Sequence, residues 1–280
     1  MIAVTGTTGK LGALVALRLA ERGVEQLLVG RDPFRQPTLP HAQHRGPAAY
    51  GEHAAMRHAL HGADTLFLVS GGLSGHRLEE HACAIDAAVE LGLGRVVYVS
   101  LQGAATDATY LNARDHAQTE RYLAGSPIRS TVLRAGFYSS MLPGLSDEDG
   151  VLRGPADGGR FSAVTHEDIA DVAAAVLLDD GDAHDGQVLE VTGPEALTMD
   201  EAAAQLTEAT GVRYGFEELD AEEKRVRLLA AGHDEVQADG WVSWFAAIGN
   251  DEASTVTDVV PRIAGHLATR VADAFHRAVT

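Results

Sequence analysis

Short apolar runs alternate with amphipathic segments along the first 135 residues of the chain. Continuous apolar runs of about four to eight residues are typical of strands that are buried on both faces. Such runs predict strands at residues 1–4, 26–29, 65–69, 95–100 and 130–134, with a weaker strand at 46–50. Between them, apolar residues recur every three or four positions and predict helices at 11–22, 52–60, 77–91 and 113–123. Strands and helices that alternate at this spacing form a doubly wound parallel sheet with helices on both faces.

The pattern changes after residue 135. Residues 151–152 and 160–164 flank a turn rich in glycine, proline and aspartate, which predicts a hairpin or a long loop. Further predictions are a helix at 169–178, a strand returning to the sheet at 188–191, a capping box from Thr198 to Glu201, and helix from residue 221 to the end. We therefore expect two parts, an α/β core over residues 1–135 and a smaller, mostly helical lobe over 136–280 packed on it.

The turn between the first strand and the first helix has the sequence TGTTGKLG, residues 5–12, with three glycines. Gly6 permits a tight turn, and Gly9 and Gly12 remove side chains where the backbone approaches a ligand or another strand. Free N–H groups at the start of a helix attract phosphate. The turn thus predicts a dinucleotide-binding Rossmann core. Lys10 has two interpretations, contact with a phosphate or a lysine in solvent.

The end of the second strand indicates which dinucleotide is bound. In NAD-binding folds, an acidic residue about 20 positions after the glycine loop binds the ribose 2′-hydroxyl. Here the strand ends in Gly30 and Arg31, and a guanidinium suits the 2′-phosphate of NADP. Arg35 is close enough in sequence to reach the same phosphate. The alternative is a surface pair of Arg31 with Asp32.

Composition and charge limit the class of protein. The net charge is −18, and residues 136–280 contain 9 Lys and Arg against 28 Asp and Glu, so we expect no nucleic-acid partner. Cys83 is the one cysteine, which excludes a disulfide framework. No apolar run reaches about 18 residues and no basic leader opens the chain, so we expect a cytoplasmic protein without membrane contact. The oligomeric state is left open, a homodimer included.

Other candidate sites have weaker signals. His41-x-x-His44 and His58-x-x-His61 have a spacing seen in metal sites, but no cysteine accompanies them and both segments are polar, so we expect no metal. Trp241, Trp244 and Phe245 have helical spacing, which is typical of a core stripe and, less often, of a substrate lid. Tyr138 and Met141 are placed better for a pocket, with ordinary loop packing as the alternative.

These motifs, taken in order, resemble those of the atypical short-chain dehydrogenase/reductases, in the branch of NmrA-like proteins and bacterial type-2 NADPH:quinone oxidoreductases. The resemblance runs from Met1 to about residue 210. It rests on the glycine loop and on the segments LLVGRDP, LFLVSGG, RVVYVSLQGA, ARDHAQTERYL, STVLRAGFY, SAVTHEDIADVAAAVLL and GQVLEVTGPEALTMDEAA.

The resemblance implies roles for particular residues. The loop residues that would hold the pyrophosphate are Gly6, Thr8, Gly9, Lys10, Leu11 and Gly12, with Arg31 and Arg35 near the 2′-phosphate. Ser70 and Gly71 would lie beside the adenosine ribose and pyrophosphate. Ser100 and Leu101 would lie near the nicotinamide. Phe137 and Tyr138 would border the nicotinamide and the substrate.

The chain departs from this family at the catalytic acid. The usual acid is a tyrosine four residues before a lysine. The two lysines here, Lys10 and Lys224, follow Gly6 and Asp220 at that spacing, so the pair is absent. His116 stands where many relatives have the lysine, and Tyr138 is the other candidate near the substrate. We expect His116 to donate a proton or to bind the ribose and nicotinamide, with Glu120 orienting it. The alternative is a partly exposed helix histidine.

Two functions fit these residues. The first is an NADPH-dependent oxidoreductase that transfers hydride to a quinone or a similar activated aromatic carbonyl or enone, because such acceptors need less help from an acid. The second is a non-catalytic NADP(H)-binding sensor of the NmrA type. Both require NADP(H), and the first adds a small aromatic substrate.

Overall fold

The computed structural model describes residues 1–72, 75–179 and 181–275. These residues form two compact units that interleave along the chain. The first comprises Met1–Ser100, Asp115–Arg134 and His166–Leu189; the second comprises Leu101–Arg114, Ala135–Thr165 and the chain from Glu190 onward. The predicted division into a cofactor-binding part, residues 1–135, and a substrate-binding part, residues 136–280, stays a prediction. The units of the structure are interleaved, and His166–Leu189 belong to the first of them.

Strands and helices alternate along the first half of the chain and become less regular in the second. The strands are β1 (Ile2–Thr5), β2 (Gln26–Val29), β3 (Ala42–Arg45), β4 (Thr65–Val69), β5 (Arg95–Leu101), β6 (Arg129–Ala135), β7 (Phe137–Tyr138), β8 (Val151–Gly154), β9 (Phe161–Val164), β10 (Val188–Val191), β11 (Ala196–Leu197) and β12 (Gly215–Glu218). The helices are α1 (Lys10–Glu21), α2 (His53–Leu60), α3 (Arg77–Glu90), α4 (Leu111–Ala124), α5 (His166–Leu178), α6 (Met199–Thr210), α7 (Ala221–Ala230), α8 (Glu235–Gly249) and α9 (Val271–Ala274).

A seven-stranded parallel sheet has the strand order β10-β6-β5-β4-β1-β2-β3. Strand β1 pairs in parallel with β2 on one side and β4 on the other, for example Val4 with Leu28 and Phe67. The strand order reverses between β1 and β4, and in open α/β sheets a ligand crevice forms outside the carboxyl ends of the strands at that point. The predicted fold class, a doubly wound Rossmann sheet, is confirmed.

The central strands of the sheet are buried because they are apolar on both faces. Ala3, Leu27, Leu66 and Val96 are fully buried and form one core cluster with Met56 and Leu60 of α2 and with Ala84 and Ile85 of α3. The residues on the other face of these central strands, such as Val4, Leu28 and Phe67, are also fully buried, as the continuous apolar runs require.

The second unit has its own core and two small sheets. One sheet has the order β11-β9-β7, and the other pairs β12 with β8 in parallel. Trp244 and Phe245 of α8 are buried beside Phe161, with ring centroids of Trp244 and Phe245 4.9 Å apart. The interpretation of these α8 aromatics as a core stripe is therefore confirmed.

Two predictions of local structure are wrong, and one of two alternatives is decided. The third strand lies at Ala42–Arg45, before the predicted 46–50, because it is an edge strand with polar residues that the apolar pattern missed. Of the two alternatives for residues 151–164, a hairpin or a long loop, the structure has a loop, since β8 pairs with β12 and β9 with β7 and β11. The chain from 221 is not continuous helix, since residues 250–258 are irregular between α8 and a π-helical turn at Val260–Ala264. The capping box of Thr198 and Glu201 is confirmed.

Within the described ranges, no helix combines the length and the apolar composition that a membrane span requires.

Candidate functional site

A cleft of about 490 Å³ lies in the first unit at the carboxyl ends of β1, β2 and β4. Its volume is in the range of pockets that hold small organic ligands. Its walls include the predicted site residues Gly6, Thr8, Gly9, Arg31, Ser70 and Gly71. The remaining wall residues are Thr7, Val29, Gly30, Ala48, Ala49, Tyr50, Val69, Gly72 and Glu80.

The glycine turn is built as its sequence predicts. Gly6 has a positive φ of 66°, and the Gly9 N–H donates to the Gly6 carbonyl at 2.9 Å, which closes the turn. Gly12 has a different role, because a Cβ on it would lie 2.4 Å from the Gly6 carbonyl oxygen. Gly12 therefore permits α1 to pack against the end of β1, while Gly9 borders the cleft. Leu11 faces the core and is buried.

The start of α1 leaves donors available beside the cleft. Gly9 is the N-cap residue and supplies no side-chain cap, and the first turn contains no acidic residue. The hydroxyl of Thr7 has no hydrogen-bond partner among the described residues, although Thr7 is only 2% exposed. A buried hydroxyl without a partner costs free energy in water-free surroundings. A turn of free N–H groups with such a hydroxyl fits an anionic ligand.

Arg31 is an exposed cation on the wall of the cleft. Among the described residues it forms no hydrogen bond or ion pair, whereas the Asp32 carboxylate accepts from the Phe34 N–H at 3.0 Å and caps a short 3₁₀ turn. The alternative interpretation, a surface pair of Arg31 with Asp32, is thus not what the side chains form. Arg35 is exposed at the end of that turn and is not a wall residue of this cleft.

Tyr50 holds together the strand ends beneath the cleft. Its hydroxyl lies 2.6 Å from the Val69 carbonyl and 2.7 Å from Oγ1 of Thr5. Thr5 in turn donates to the Phe67 carbonyl and accepts from the Val69 N–H, both at 3.0 Å. Burial raises the pKa of Tyr50 well above its ordinary value, so the hydroxyl keeps its proton as a donor.

His116 is buried in α4 rather than exposed, with 6% of its surface accessible. Its Nδ1 lies 2.9 Å from the Tyr98 hydroxyl. Burial, followed by the charge of Arg77, lowers the pKa of His116 well below its ordinary value, so the ring is neutral at physiological pH. A neutral imidazole still carries one N–H, but it is not the charged acid that an exposed histidine provides.

Glu120 does not orient His116, which corrects the expectation from their spacing. Its carboxylate accepts from Nε and Nη2 of Arg134 at 2.9 and 2.6 Å, and from Oγ of Ser100 at 2.5 Å. Glu120 therefore joins α4 to the ends of β5 and β6. Ser100 is only 2% exposed, and its hydroxyl is used in this contact.

The remaining predicted residues of the substrate side lie in the second unit. Phe137 is 5% exposed, and its ring packs against Trp244, with centroids 4.9 Å apart, and against Tyr110, at 5.9 Å. Leu101 packs against the same core. Tyr138 is half-buried, and burial raises the pKa of its hydroxyl to about 12.

Lys10 is exposed at the start of α1, and its charge acts on His166 at the start of α5. Burial, followed by the Lys10 charge, lowers the pKa of His166 to about 4. This exposed position is compatible with both interpretations of Lys10, contact with a phosphate or a lysine in solvent. Over the described part of the chain, His, Cys, Asp and Glu form no group of three that could hold a metal ion.

A model of the NmrA-like family matches residues 1–255. The chain belongs to the NmrA-like family. Quinone oxidoreductase 2 of Escherichia coli K12 is 32% identical over 282 residues, which cover 98% of this chain and 96% of that protein.

Two solved structures of other enzymes are similar over the full chain. An E. coli NADPH-dependent quinone oxidoreductase crystallised with NADPH superposes with a TM-score of 0.88 and 29% identity, and the match covers 100% of both chains. The triphenylmethane reductase of Citrobacter sp. crystallised with NADP(H) has a TM-score of 0.85 and 27% identity, again over 100% of both chains.

Sequence reasoning missed several wall residues of this NmrA-like cleft. Ala48, Ala49 and Tyr50 follow β3, but the apolar pattern assigns them to a strand because it places β3 too late in the chain. A strand ending at Arg45 would have placed them at the carboxyl edge of the sheet, where ligands bind. Thr7 and Glu80 had no signal of their own, because a threonine in a loop and a glutamate on a helix are common on any surface.

Proposed function

We propose that this protein is an NADPH-dependent oxidoreductase that transfers hydride to a quinone or a similar activated aromatic carbonyl or enone. The observation that carries the proposal is the cleft, in which the glycine turn, the buried Thr7 hydroxyl and the exposed Arg31 border one cavity. The similar quinone oxidoreductase of E. coli uses NADPH, which supports both the cofactor and the acceptor.

The donors of the cleft fit a dinucleotide phosphate. Gly6, Thr8 and Gly9 would hold the pyrophosphate with the start of α1, where Thr7 supplies a hydroxyl and Lys10, Leu11 and Gly12 continue the turn. Arg31 would bind the 2′-phosphate, for which a guanidinium has the matching planar geometry, and Arg35, four residues further along the chain, is the second candidate. Ser70 and Gly71 would border the adenosine ribose. When bound, NADPH supplies the hydride.

The missing catalytic acid favours a quinone over a simple ketone as the hydride acceptor. Reduction of a simple ketone creates an alkoxide, which needs a protonated group within about 3 Å. The Tyr-x-x-x-Lys pair that usually serves is absent from the sequence. Hydride transfer to a quinone gives a stabilised hydroquinone anion, so a hydrogen bond from the neutral ring of His116 or from the Tyr138 hydroxyl suffices, and water supplies the proton. Ser100, Leu101 and Phe137 are assigned to the nicotinamide side by family resemblance.

A steady-state assay tests the function. Purified protein is mixed with NADPH and a panel of quinones, enones and simple ketones, and the absorbance of the reduced nicotinamide is followed. We expect turnover of quinones at least tenfold faster than of simple ketones. Tight binding of NADPH without turnover of any acceptor would instead support the non-catalytic sensor.

We propose a cytoplasmic enzyme whose partner is a small aromatic molecule, because a single cysteine suits a reducing compartment. Homodimer formation and the lack of nucleic-acid binding stay predictions.

A further inference from the structure

His81 of α3 is a fully buried histidine to which the sequence assigns no function. Its ring stands between two tyrosine rings in edge-on contact, with centroids 5.7 Å from Tyr50 and 5.5 Å from Tyr98. Both ring nitrogens have partners. The Gly71 N–H donates to Nε2 at 2.9 Å, and Nδ1 lies 3.1 Å from Oγ1 of Thr119 in α4. His81 therefore joins the loop after β4, which forms a wall of the cleft, to helix α4.

These contacts fix the tautomer of His81. Because a backbone N–H can only donate, Nε2 must be the unprotonated nitrogen, and Nδ1 must carry the hydrogen. Nδ1–H then donates to Thr119, whose own hydroxyl donates to the Asp115 carbonyl at 3.2 Å. A protonated ring would lose the bond to Gly71. Burial, followed by the charge of Arg77, lowers the pKa of His81 to about 3, so the ring stays neutral.

The bond to Gly71 sets the direction of a peptide plane at the cleft. In a trans peptide the carbonyl points opposite to the N–H. With the Gly71 N–H directed at His81, the Ser70 carbonyl is directed away from His81, and Ser70 is itself a wall residue. Gly71 and Gly72 are consecutive glycines, for which many backbone conformations are accessible. Without His81, a ligand would have to order this segment itself, at a cost to its affinity.

We propose that His81 is a positioning residue of the nucleotide site: it holds the Ser70–Gly71 peptide so that the Ser70 carbonyl, and not the Gly71 N–H, is presented to the bound dinucleotide. The hydroxyl groups of the adenosine ribose are the donors that this carbonyl suits. The inference rests on the proposed binding of NADPH in this cleft.

Two substitutions separate the bond to Gly71 from general packing. In His81→Gln, the side-chain oxygen extends to the place of Nε2 and can accept from the Gly71 N–H. In His81→Asn, the shorter amide reaches the place of Nδ1 and leaves Gly71 without a partner. We expect His81→Asn to raise the Kd of NADPH about tenfold, and His81→Gln to stay within about threefold of the wild type. The kcat at saturating NADPH should change less than about twofold in both variants, because His81 acts on binding.

The outcomes distinguish this inference from the function on which it rests. Equal loss of affinity in both variants, or a fall in kcat with an unchanged KM for NADPH, would overturn the role of His81. Failure of the wild type to bind NADPH would overturn the proposed function instead.

Amide exchange gives a readout that needs no variant. In the cofactor-free protein, the Gly71 N–H should exchange with solvent at least about tenfold more slowly than the Gly72 N–H, and the ring ¹⁵N shifts of His81 should report an unprotonated Nε2. Rapid exchange at Gly71, or a hydrogen on Nε2, would contradict the proposal even if the variants failed to fold.

Discussion

Arg31 is the side chain that separates NADPH from NADH in the proposed function. It is exposed on the wall of the cleft, and the neighbouring carboxylate of Asp32 is committed to the Phe34 N–H. Asp32 therefore does not compete with a phosphate for the Arg31 guanidinium. The position of Arg31 could be predicted from the sequence, because the apolar run of β2 ends at Gly30, directly before it. The burial of the Thr7 hydroxyl could not be predicted from the sequence, because it arises only in the folded turn.

Replacing Arg31 tests this assignment. Arg31→Ala removes charge-assisted hydrogen bonds to the 2′-phosphate, each worth about 1.5–3 kcal/mol, so the Kd of NADPH should rise about ten- to one-hundred-fold. The Kd of NADH, which lacks that phosphate, should change less than about threefold in the same calorimetric titration. Arg121→Ala, which changes an exposed arginine on α4, serves as control and should change neither. An equal loss for both dinucleotides would show that Arg31 does not bind the 2′-phosphate.

The packing of the start of α1 against the end of β1 depends on Gly12. A Cβ there would meet backbone atoms of Gly6 and Thr5 at 2.4–2.6 Å, which no rotamer change relieves. Gly12→Ala should lower the free energy of unfolding by more than about 3 kcal/mol in urea denaturation, as expected for backbone overlap in a tight contact. Gly240→Ala in α8 is the matched control. Its Cβ meets no atom within 4 Å, so it should be neutral or stabilising by up to about 1 kcal/mol.

Glu120 provides a second contact between secondary-structure elements, because it joins α4 to β5 and β6. Removing it leaves the half-buried Arg134 without the carboxylate that it contacts through two nitrogens. We expect Glu120→Ala to lower the free energy of unfolding by about 2–4 kcal/mol. In a double-mutant cycle with Arg134→Ala, the combined loss should be smaller than the sum of the single losses. Strict additivity would show that the pair contributes little.

Most elements could be predicted from periodicity, since the central strands are apolar on both faces. Strand β3 could not, because it lies at the sheet edge and its residues Gln43 and His44 are exposed. That single error removed Ala48, Ala49 and Tyr50 from the predicted site. The pairing of β8 with β12 was equally inaccessible, because it joins segments far apart in sequence and no local pattern encodes it.

At the scale of the whole molecule, buried neutral histidines predict how stability depends on pH. The folded pKa of His81 is about 3 and that of His166 about 4, and that of His116 is also lowered. Below the unfolded value of about 6.5, the unfolded chain binds protons that the folded chain excludes. The free energy of unfolding should therefore fall as pH drops from about 6.5 toward 4, by up to about 1.4 kcal/mol per pH unit for each such histidine.

Urea unfolding at several pH values checks this dependence. His166→Gln should make the acid slope shallower than that of the wild type, because one of the proton-excluding sites is removed. His58→Gln, which changes an exposed residue, should leave the slope unchanged. A wild-type stability that does not fall below about pH 6 would contradict the burial of these rings in the neutral form.

In the proposed function, this NmrA-like protein reduces quinones with NADPH held in the cleft of its first unit. The most direct measurement is an anaerobic stopped-flow experiment in which the protein, loaded with NADPH, is mixed with one quinone. We expect the bound reduced nicotinamide to be oxidised in a single turnover, with one hydroquinone formed for each NADPH consumed. Bound NADPH that persists in the presence of every quinone tried would contradict the claim.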